Sequence, residues 1–255
     1  MGEKWKSLRN TVVLIVGLLV FWQLMYFVVG DVAMRSPWQT MRSTVELART
    51  DWFWLHVDNT MRAFAAALAI AIVLGLLIGF ALGLHRLSAE AMEPMLVALY
   101  SIPKITLYPI ILLVFGLTLS AKVAFGALHG IFPMIIFTMS GVKNVKPVLL
   151  KTARAMRLSP LASMRAILVP AALPEIFTGF RIGFSLTLLG TLIGELFASD
   201  RGLGFMLIRS IEHSDAATIL ALTLLLFTAS ALVGWALLRL DRRIRRYKEA
   251  NPAAM

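Results

Sequence analysis

Four cations and no acid lie in "KTARAMRLSPLASMRAILVPAALP", residues 151 to 174: Lys151, Arg154, Arg157 and Arg165. Side chains of one sign at that density suit electrostatic docking, on an acidic partner or on nucleic acid, rather than proton transfer. Three further ionisable groups stand out because they interrupt apolar sequence. Lys104 lies between Pro103 and Pro109, and Arg181 and Glu195 fall in a long hydrophobic run. Without cysteine, disulfides and thiolate chemistry are excluded. His56, His85, His129 and His213 are far apart with no ligand-like spacing, so no metal site is expected. The chain offers no paired carboxylates and no activated nucleophile, which argues against an enzyme.

The elements that must position these groups are set by hydrophobicity. With 59% hydrophobic and 15% charged residues, the composition lies outside the range of ordinary soluble domains and indicates an integral membrane protein. "TVVLIVGLLVFWQLMYFVVG", residues 11 to 30, carries no charge, and about 20 such residues cross a hydrocarbon core of about 30 Å. Lys4, Lys6 and Arg9 precede it as in a signal peptide, but the run is too long and no small-x-small cleavage site follows, so it reads as an anchor. Further spans are expected at about 64 to 84, 95 to 116, 122 to 142, 173 to 198 and 217 to 238. The fold class is therefore an all-α membrane protein of about six transmembrane helices, in one transmembrane domain over 1 to 255 with its core at about 64 to 240.

Net charge is +11, and its placement decides what it means. Lys4, Lys6, Arg9 and Arg86 fall on one side with the 143 to 172 loop (Lys143, Lys146, Lys151, Arg154, Arg157, Arg165) and the tail (Arg239, Arg242, Arg243, Arg245, Arg246, Lys248). The other side has fewer cations, balanced by Asp31, Glu46, Asp51, Asp58, Asp200, Glu212 and Asp215. By the positive-inside rule both termini are expected in the cytoplasm. Cations that follow topology do not form an aromatic-studded groove, so nucleic acid is not the expected partner. The tail "RRIRRYKEA" reads as a stop-transfer and lipid-headgroup anchor. The segment from 36 to 60, with Trp38, Trp52 and Trp54, suits a helix lying at the outer interface.

Within the spans, Gly75, Gly79 and Gly83 recur every four residues, and Gly179, Gly183, Gly190 and Gly194 fall within about 60 degrees of one another at about 100 degrees per residue. Both faces are built for close helix packing. Arg181 and Glu195 lie roughly opposite the second glycine face. They either line a polar cavity or are satisfied by neighbours and the headgroup layer. In "PMLVALYSIPKITLYPIILLVFG", Pro94, Pro103 and Pro109 predict a broken helix around Lys104. A broken helix with a charge is tolerated where protein or water surrounds it, as along a transport path; the alternative is a kink with Lys104 reaching an interface.

Returning to the basic stretch, Ser159 followed by Pro160 is an N-cap with proline at the first helical position, predicting a helix to about Leu168 ended by Pro170 and Pro174. Pro147 opens an earlier helix over about 147 to 156. The loop is thus an ordered helical hairpin suited to docking a soluble partner. At these residues the chain resembles the permease subunits of binding-protein-dependent ABC importers, in the sulfonate, taurine and nitrate branch. That family's signature is Glu-Ala-Ala, three free positions, Gly, nine free positions, Ile, one free position, Leu-Pro. With its last proline on Pro170, its isoleucine falls on Ile167, its leucine on Val169 and its second alanine on Ala153. The glutamate falls on Lys151, the first alanine on Thr152 and the glycine on Arg157. "VPAALPEIFTGFRIG", "GELFASDRGLG" and "YSIPKITLYPIILLVFG" resemble the same branch in the same order, over roughly 40 to 245.

The resemblance implies a type I importer permease, multi-pass in the bacterial inner membrane and paired with a second copy of itself. Its partners would be an ABC ATPase subunit and a periplasmic or lipid-anchored substrate-binding protein. Lys151, Ala153, Arg154, Arg157, Ser159, Pro160, Leu161, Ile167 and Pro170 would couple to the ATPase, and Lys104, Arg181 and Glu195 would line the translocation pathway. No cofactor is expected on this chain, since ATP binds the partner subunit. The solute would be a small anion of the sulfonate, taurine or nitrate type. The alternative is a stand-alone secondary carrier using the same intramembrane charges.

Overall fold

Uncharged runs of this length can satisfy their backbone groups in lipid only by coiling on themselves, and the described chain is helical throughout its ordered elements. The computed structural model describes residues 2–31, 33–197 and 199–250. The side chains of Lys4, Arg245, Arg246 and Lys248, counted above with their sides of the membrane, lie outside what is described. Helix α1 (Gly2–Val29) has Val12 to Val20 and Phe27 exposed, and its Trp22 indole N–H donates to the Arg35 carbonyl at 3.1 Å. Helix α2 (Pro37–Ala48) starts in a capping box: Ser36 Oγ accepts from the Gln39 N–H, and Gln39 Oε1 from the Ser36 N–H. Helix α3 (Asp51–Gly83) starts on Thr50 as N-cap.

Two expectations change here. The 36 to 60 segment is not one interfacial helix; α2 ends at Ala48, and α3 begins at Asp51, well before the expected start at 64. The reason is that a polar turn does not end a helix that has a cap. Thr50 nucleates it, Asp58 and Arg62 pair across one exposed turn at 2.8 Å, and the apolar run continues the same axis. At 33 residues, α3 is about 50 Å long, enough to cross a bilayer and project beyond it.

The expected third span is two helices, α4 (Arg86–Ser101) and α5 (Tyr108–Phe115), joined by a 3-10 turn at Lys104–Leu107 and bent by 81°. Of its three prolines only Pro103 breaks the chain. Pro94 is accommodated inside α4, and Pro109 sits in the first turn of α5, where its missing N–H costs nothing. Helix α6 (Leu119–Lys143) runs through the centre. After α7 (Pro147–Ala155) and α8 (Pro160–Ser163), a π turn at Met164–Leu168 leads into α9 (Val169–Phe197). Helices α10 (Leu203–Glu212) and α11 (Ala216–Ala250) follow, and α11 packs against α2. Among the described residues five helices are long and apolar enough to cross a membrane, six if the bent pair counts as one.

The core is the contact of α6 with α3 on one side and α9 on the other. A short apolar cluster of Phe53, Leu203, Met206 and Leu222 ties α10 to α3 and α11. The Tyr108 hydroxyl donates to the Gly194 carbonyl at 2.6 Å and pins α5 against α9.

Candidate functional site

The hairpin is built by its capping residues. Pro147 occupies the first turn of α7, whose inner side packs Leu149 and Leu150 onto Val142, Val145 and Leu168 and buries Ala153. The helix closes with the Leu158 N–H donating to the Ala153 carbonyl (3.1 Å) and the Met156 N–H to that of Thr152 (2.9 Å). The first of these bonds places Arg157 in the left-handed position that usually takes glycine, and its φ is +48°. A residue with a Cβ there costs about 1 kcal/mol. Ser159 then caps the second helix, its Oγ accepting from the Ala162 N–H at 3.2 Å, with Pro160 at the first position.

That second helix does not end at Pro170 or Pro174, contrary to expectation. It continues without a break from Pro160 to Phe197. In a regular α-helix the Pro170 ring would press on the carbonyl of residue 166. The π turn just before it widens the helix, with the Val169 N–H reaching the Met164 carbonyl, and this makes room for the ring. The second helix of the hairpin is therefore continuous with α9. Lys151, Arg154, Arg157, Leu161, Arg165 and Pro170 are exposed, while Ile167 is half-buried. Beside this packing, a cavity of about 670 Å³ lies between the hairpin and the ends of α3 and α6, lined by Leu84, Val145, Leu150 and Met164.

Glycines set the packing of the membrane core. A Cβ on Gly79 would come within 2.5 Å of Thr138 Cβ, and one on Gly83 within 2.8 Å of Val142; Gly75 meets Met134. On α9, Gly179 faces Phe137, Gly183 faces the Gly130 carbonyl, Gly190 faces His129 and Gly194 faces Lys122. All of these positions oppose α6, which contributes Gly126, Gly130 and Gly141 in return.

The three intramembrane charges are not brought together by any hydrogen bond or ion pair among the described residues. Lys104 opens the 3-10 turn at the break, donates to the Tyr100 carbonyl at 2.8 Å and lies over the rings of Tyr100 (4.8 Å) and Phe132 (5.5 Å). Arg181 is half-buried on α9, and its Nε is buried without a hydrogen-bond partner among the described residues. A guanidinium N–H in that state is a donor available to a ligand or a water.

Glu195 is fully buried and already occupied. The Thr60 hydroxyl donates to its carboxylate at 2.9 Å, and the Gly204 N–H at 3.0 Å, so the carboxylate sits at the N-terminus of α10. Thr60 Oγ1 in turn accepts from the Leu203 N–H (2.8 Å), His56 Nδ1 accepts from the Gly202 N–H (2.9 Å), and Lys122 Nζ donates to the Arg201 carbonyl (3.0 Å). Gly202 has φ +120°, and a Cβ there would overlap the Glu195 carboxylate. This latch joins α3, α6, α9 and α10. Sequence reasoning singled out Glu195 but missed Thr60, His56, Lys122 and the glycines that close it. The only signal in the sequence was "GELFASDRGLG".

Comparison with known proteins follows the same lines. The family described as "Binding-protein-dependent transport system inner membrane component" matches residues 71–246. A formylaminopyrimidine transport permease protein, ThiX, of Halalkalibacterium halodurans is 29% identical over 222 residues, covering 87% of this chain and 88% of its own. The taurine transport system permease protein TauC of Escherichia coli is 26% identical over 94% of this chain and 92% of its own. A nitrate import permease protein, NrtB, of Leptolyngbya laminosa is 28% identical over 86% and 82%. Among solved structures, an inward-facing MetNI methionine ABC transporter has a chain that superposes with a TM-score of 0.64. It is 20% identical and covers 75% of this chain and 97% of its own, which establishes a shared fold.

Proposed function

The chain belongs to the family of binding-protein-dependent transport system inner membrane components, and from that membership we propose that two copies form the path of a small anionic solute through a bacterial inner membrane. Energy comes from a separate ATPase subunit that binds ATP, and an outer binding protein delivers the solute. Both termini and the 143 to 172 loop lie in the cytoplasm, and the tail cations Arg239, Arg242 and Arg243 anchor in headgroups there. The observation that supports this reading best is the unbroken helical body from Pro160 to Phe197. A rotation applied to the hairpin by the ATPase reaches Arg181 and the Glu195 latch as a rigid motion.

Each candidate residue then has a part. Lys151, Arg154, Arg157 and Leu161 face the ATPase. Ala153 and Ile167 seat the hairpin, Ser159 and Pro160 cap its second helix, and Pro170 sets the π turn. The glycine faces Gly75, Gly79, Gly83, Gly179, Gly183, Gly190 and Gly194 let α3, α6 and α9 slide at close range. Lys104 and Arg181 offer positive charge and free donors along the path, while Glu195 closes its outer end. An anionic solute agrees with the relatives named for taurine and nitrate. Since a relative named for formylaminopyrimidine is similar to the same extent, the anion rests on Lys104 and Arg181.

Proteoliposomes test the proposal. Uptake should need this chain, its cognate ATPase, the binding protein and hydrolysable ATP together, and should persist when the proton gradient is collapsed. Uptake by this chain alone, driven by an ion gradient, would establish a secondary carrier instead.

A further inference from the structure

A second cavity, of about 340 Å³, lies between α3 and α11, and none of the three intramembrane charges lines it. Its lining runs from Phe53 to Phe64 on α3 and from Leu222 to Val233 on α11, at helical spacing on each, so the cavity is a slot parallel to both helices. At about 1.5 Å per residue the two stretches are about 16 Å long, the depth of one leaflet in a hydrocarbon core of about 30 Å. Phe184 and Leu188 of α9 back the slot, and Phe64 meets Phe184 edge-on at 4.9 Å at the end away from α2. Hydroxyls are few in this lining: Thr60 commits its own to the Glu195 latch, which leaves Ser230. Along the rim Met61, Ala229 and Val233 are exposed, so the slot is open from the side.

Whatever enters must be apolar and thin. Spread over its length, the volume gives a section of roughly 20 Å². A helix with its side chains is about 10–12 Å across and needs several times that section. A neighbouring helix, from α1 or from a second copy, can therefore lay side chains on the rim without filling the slot, whereas one hydrocarbon chain fills it.

The mouth at the α2 end suits a phosphate. Ala48 lines the slot, and Arg49 follows it, exposed and without an ion pair among the described residues, while Arg42 and Arg62 nearby in sequence are each paired to a carboxylate. Asp51, the acid nearest to Arg49 in sequence, lies in the first turn of α3, where the helix N-terminus balances its charge. The Trp54 indole N–H donates to the Ala48 carbonyl at 2.9 Å, and Trp52 and Trp54 are both exposed beside the mouth. Indole rings so placed belong at the headgroup level of a bilayer.

We propose that the slot is a phospholipid site. One acyl chain lies between α3 and α11 against α9, and the phosphate meets the Arg49 guanidinium at the α2 end. A lipid held in this way differs from the annulus around the chain, because its tail is enclosed by three helices and its phosphate is held by a charge-assisted hydrogen bond. Such a site requires a bilayer but no ATPase.

Intact-mass spectrometry of the purified chain, titrated with dioleoyl phosphatidylglycerol in detergent micelles, tests this. Wild type should retain one lipid per chain. Ala229→Phe and Val233→Trp, which fill the slot from α11, should each bind about tenfold more weakly. Ala231→Phe places the same ring on the opposite, exposed face of α11 and should bind as wild type does. Arg49→Gln should also lose about tenfold, and Arg49→Lys should recover part of it. Should Ala229→Phe fail to fold, Val233→Trp and the two Arg49 variants decide the matter. Equal retention by wild type and the slot-filling variants, or no retained lipid in wild type, overturns the proposal. A slot-filling variant that breaks dimers into monomers without changing lipid retention assigns the slot to a second copy and overturns it as well. Full retention in Arg49→Gln beside loss in the slot-filling variants overturns the phosphate contact.

Discussion

Arg157 shows how much a single backbone angle can carry. Its φ of +48° means that Arg157→Gly should stabilise the folded chain by up to about 1 kcal/mol, read as a higher unfolding midpoint in detergent micelles. An unchanged or lower midpoint would mean that the side chain makes a compensating contact. The outer latch offers the contrary case, a residue whose loss is purely harmful. In Thr60→Val the hydroxyl disappears, leaving the Leu203 N–H without an acceptor and the Glu195 carboxylate with the Gly204 N–H but not the hydroxyl as donor. Each unsatisfied buried group costs about 1–3 kcal/mol. Amide exchange over residues 199 to 204 should rise sharply in that variant, with little change in the hairpin; equal exchange in the two proteins would show that Thr60 does not hold the loop. The corner at Arg157 was legible in the sequence as a departure from a pattern that places glycine there. The latch was not, because Thr60 and Glu195 are 135 residues apart and neither belongs to a local motif.

Among the elements, the glycine faces make the sharpest comparison. A Cβ added at Gly190 would lie 2.7 Å from His129 Nδ1, while one at Gly17 on α1 has nothing within 4 Å. Gly190→Ala should therefore destabilise by about 1–3 kcal/mol through overpacking. Gly17→Ala should be neutral or slightly stabilising, as alanine is the better helix former. Parallel unfolding of the two variants checks this, and matched losses would mean that the α6 and α9 contact yields easily at this point. Four-residue glycine spacing could be read from sequence because helix geometry alone converts it into a face. Ser159–Pro160 and Pro147 were legible for the same reason, since caps are local. Pro170 and Pro174 were misread as stops. Whether a proline ends a helix depends on whether the preceding turn can widen and on what packs around it, and here Leu168, Ala171 and Ala172 bury against Val142 and Val145. Helix α10 was missed because it is short and its start depends on Gly202, Gly204 and a carboxylate from another helix.

At the level of the whole molecule, the family match and the superposed fold establish an importer permease, and on the proposed reading the solute meets very few polar groups of this chain. The apolar helices would serve any member of the family. Among the intramembrane charges, Glu195 is taken up by the latch and Lys104 by a carbonyl and two rings, which leaves Arg181 with a buried N–H and no protein partner among the described residues. A charge in that position is costly unless something in the transport cycle uses it. Arg181→Ala should then lower uptake at least about tenfold, the loss expected of one charge-assisted contact, while dimer assembly and binding-protein-stimulated ATP hydrolysis persist. Arg181→Lys, which keeps the charge but not the planar donor fork, should recover part of the uptake. Retained hydrolysis separates a pathway role from a structural one, because a variant that merely loosened α9 would also lose the rigid link between hairpin and latch. Intact uptake in Arg181→Ala would remove Arg181 from the path, and the case for an anionic solute would then rest on Lys104 alone.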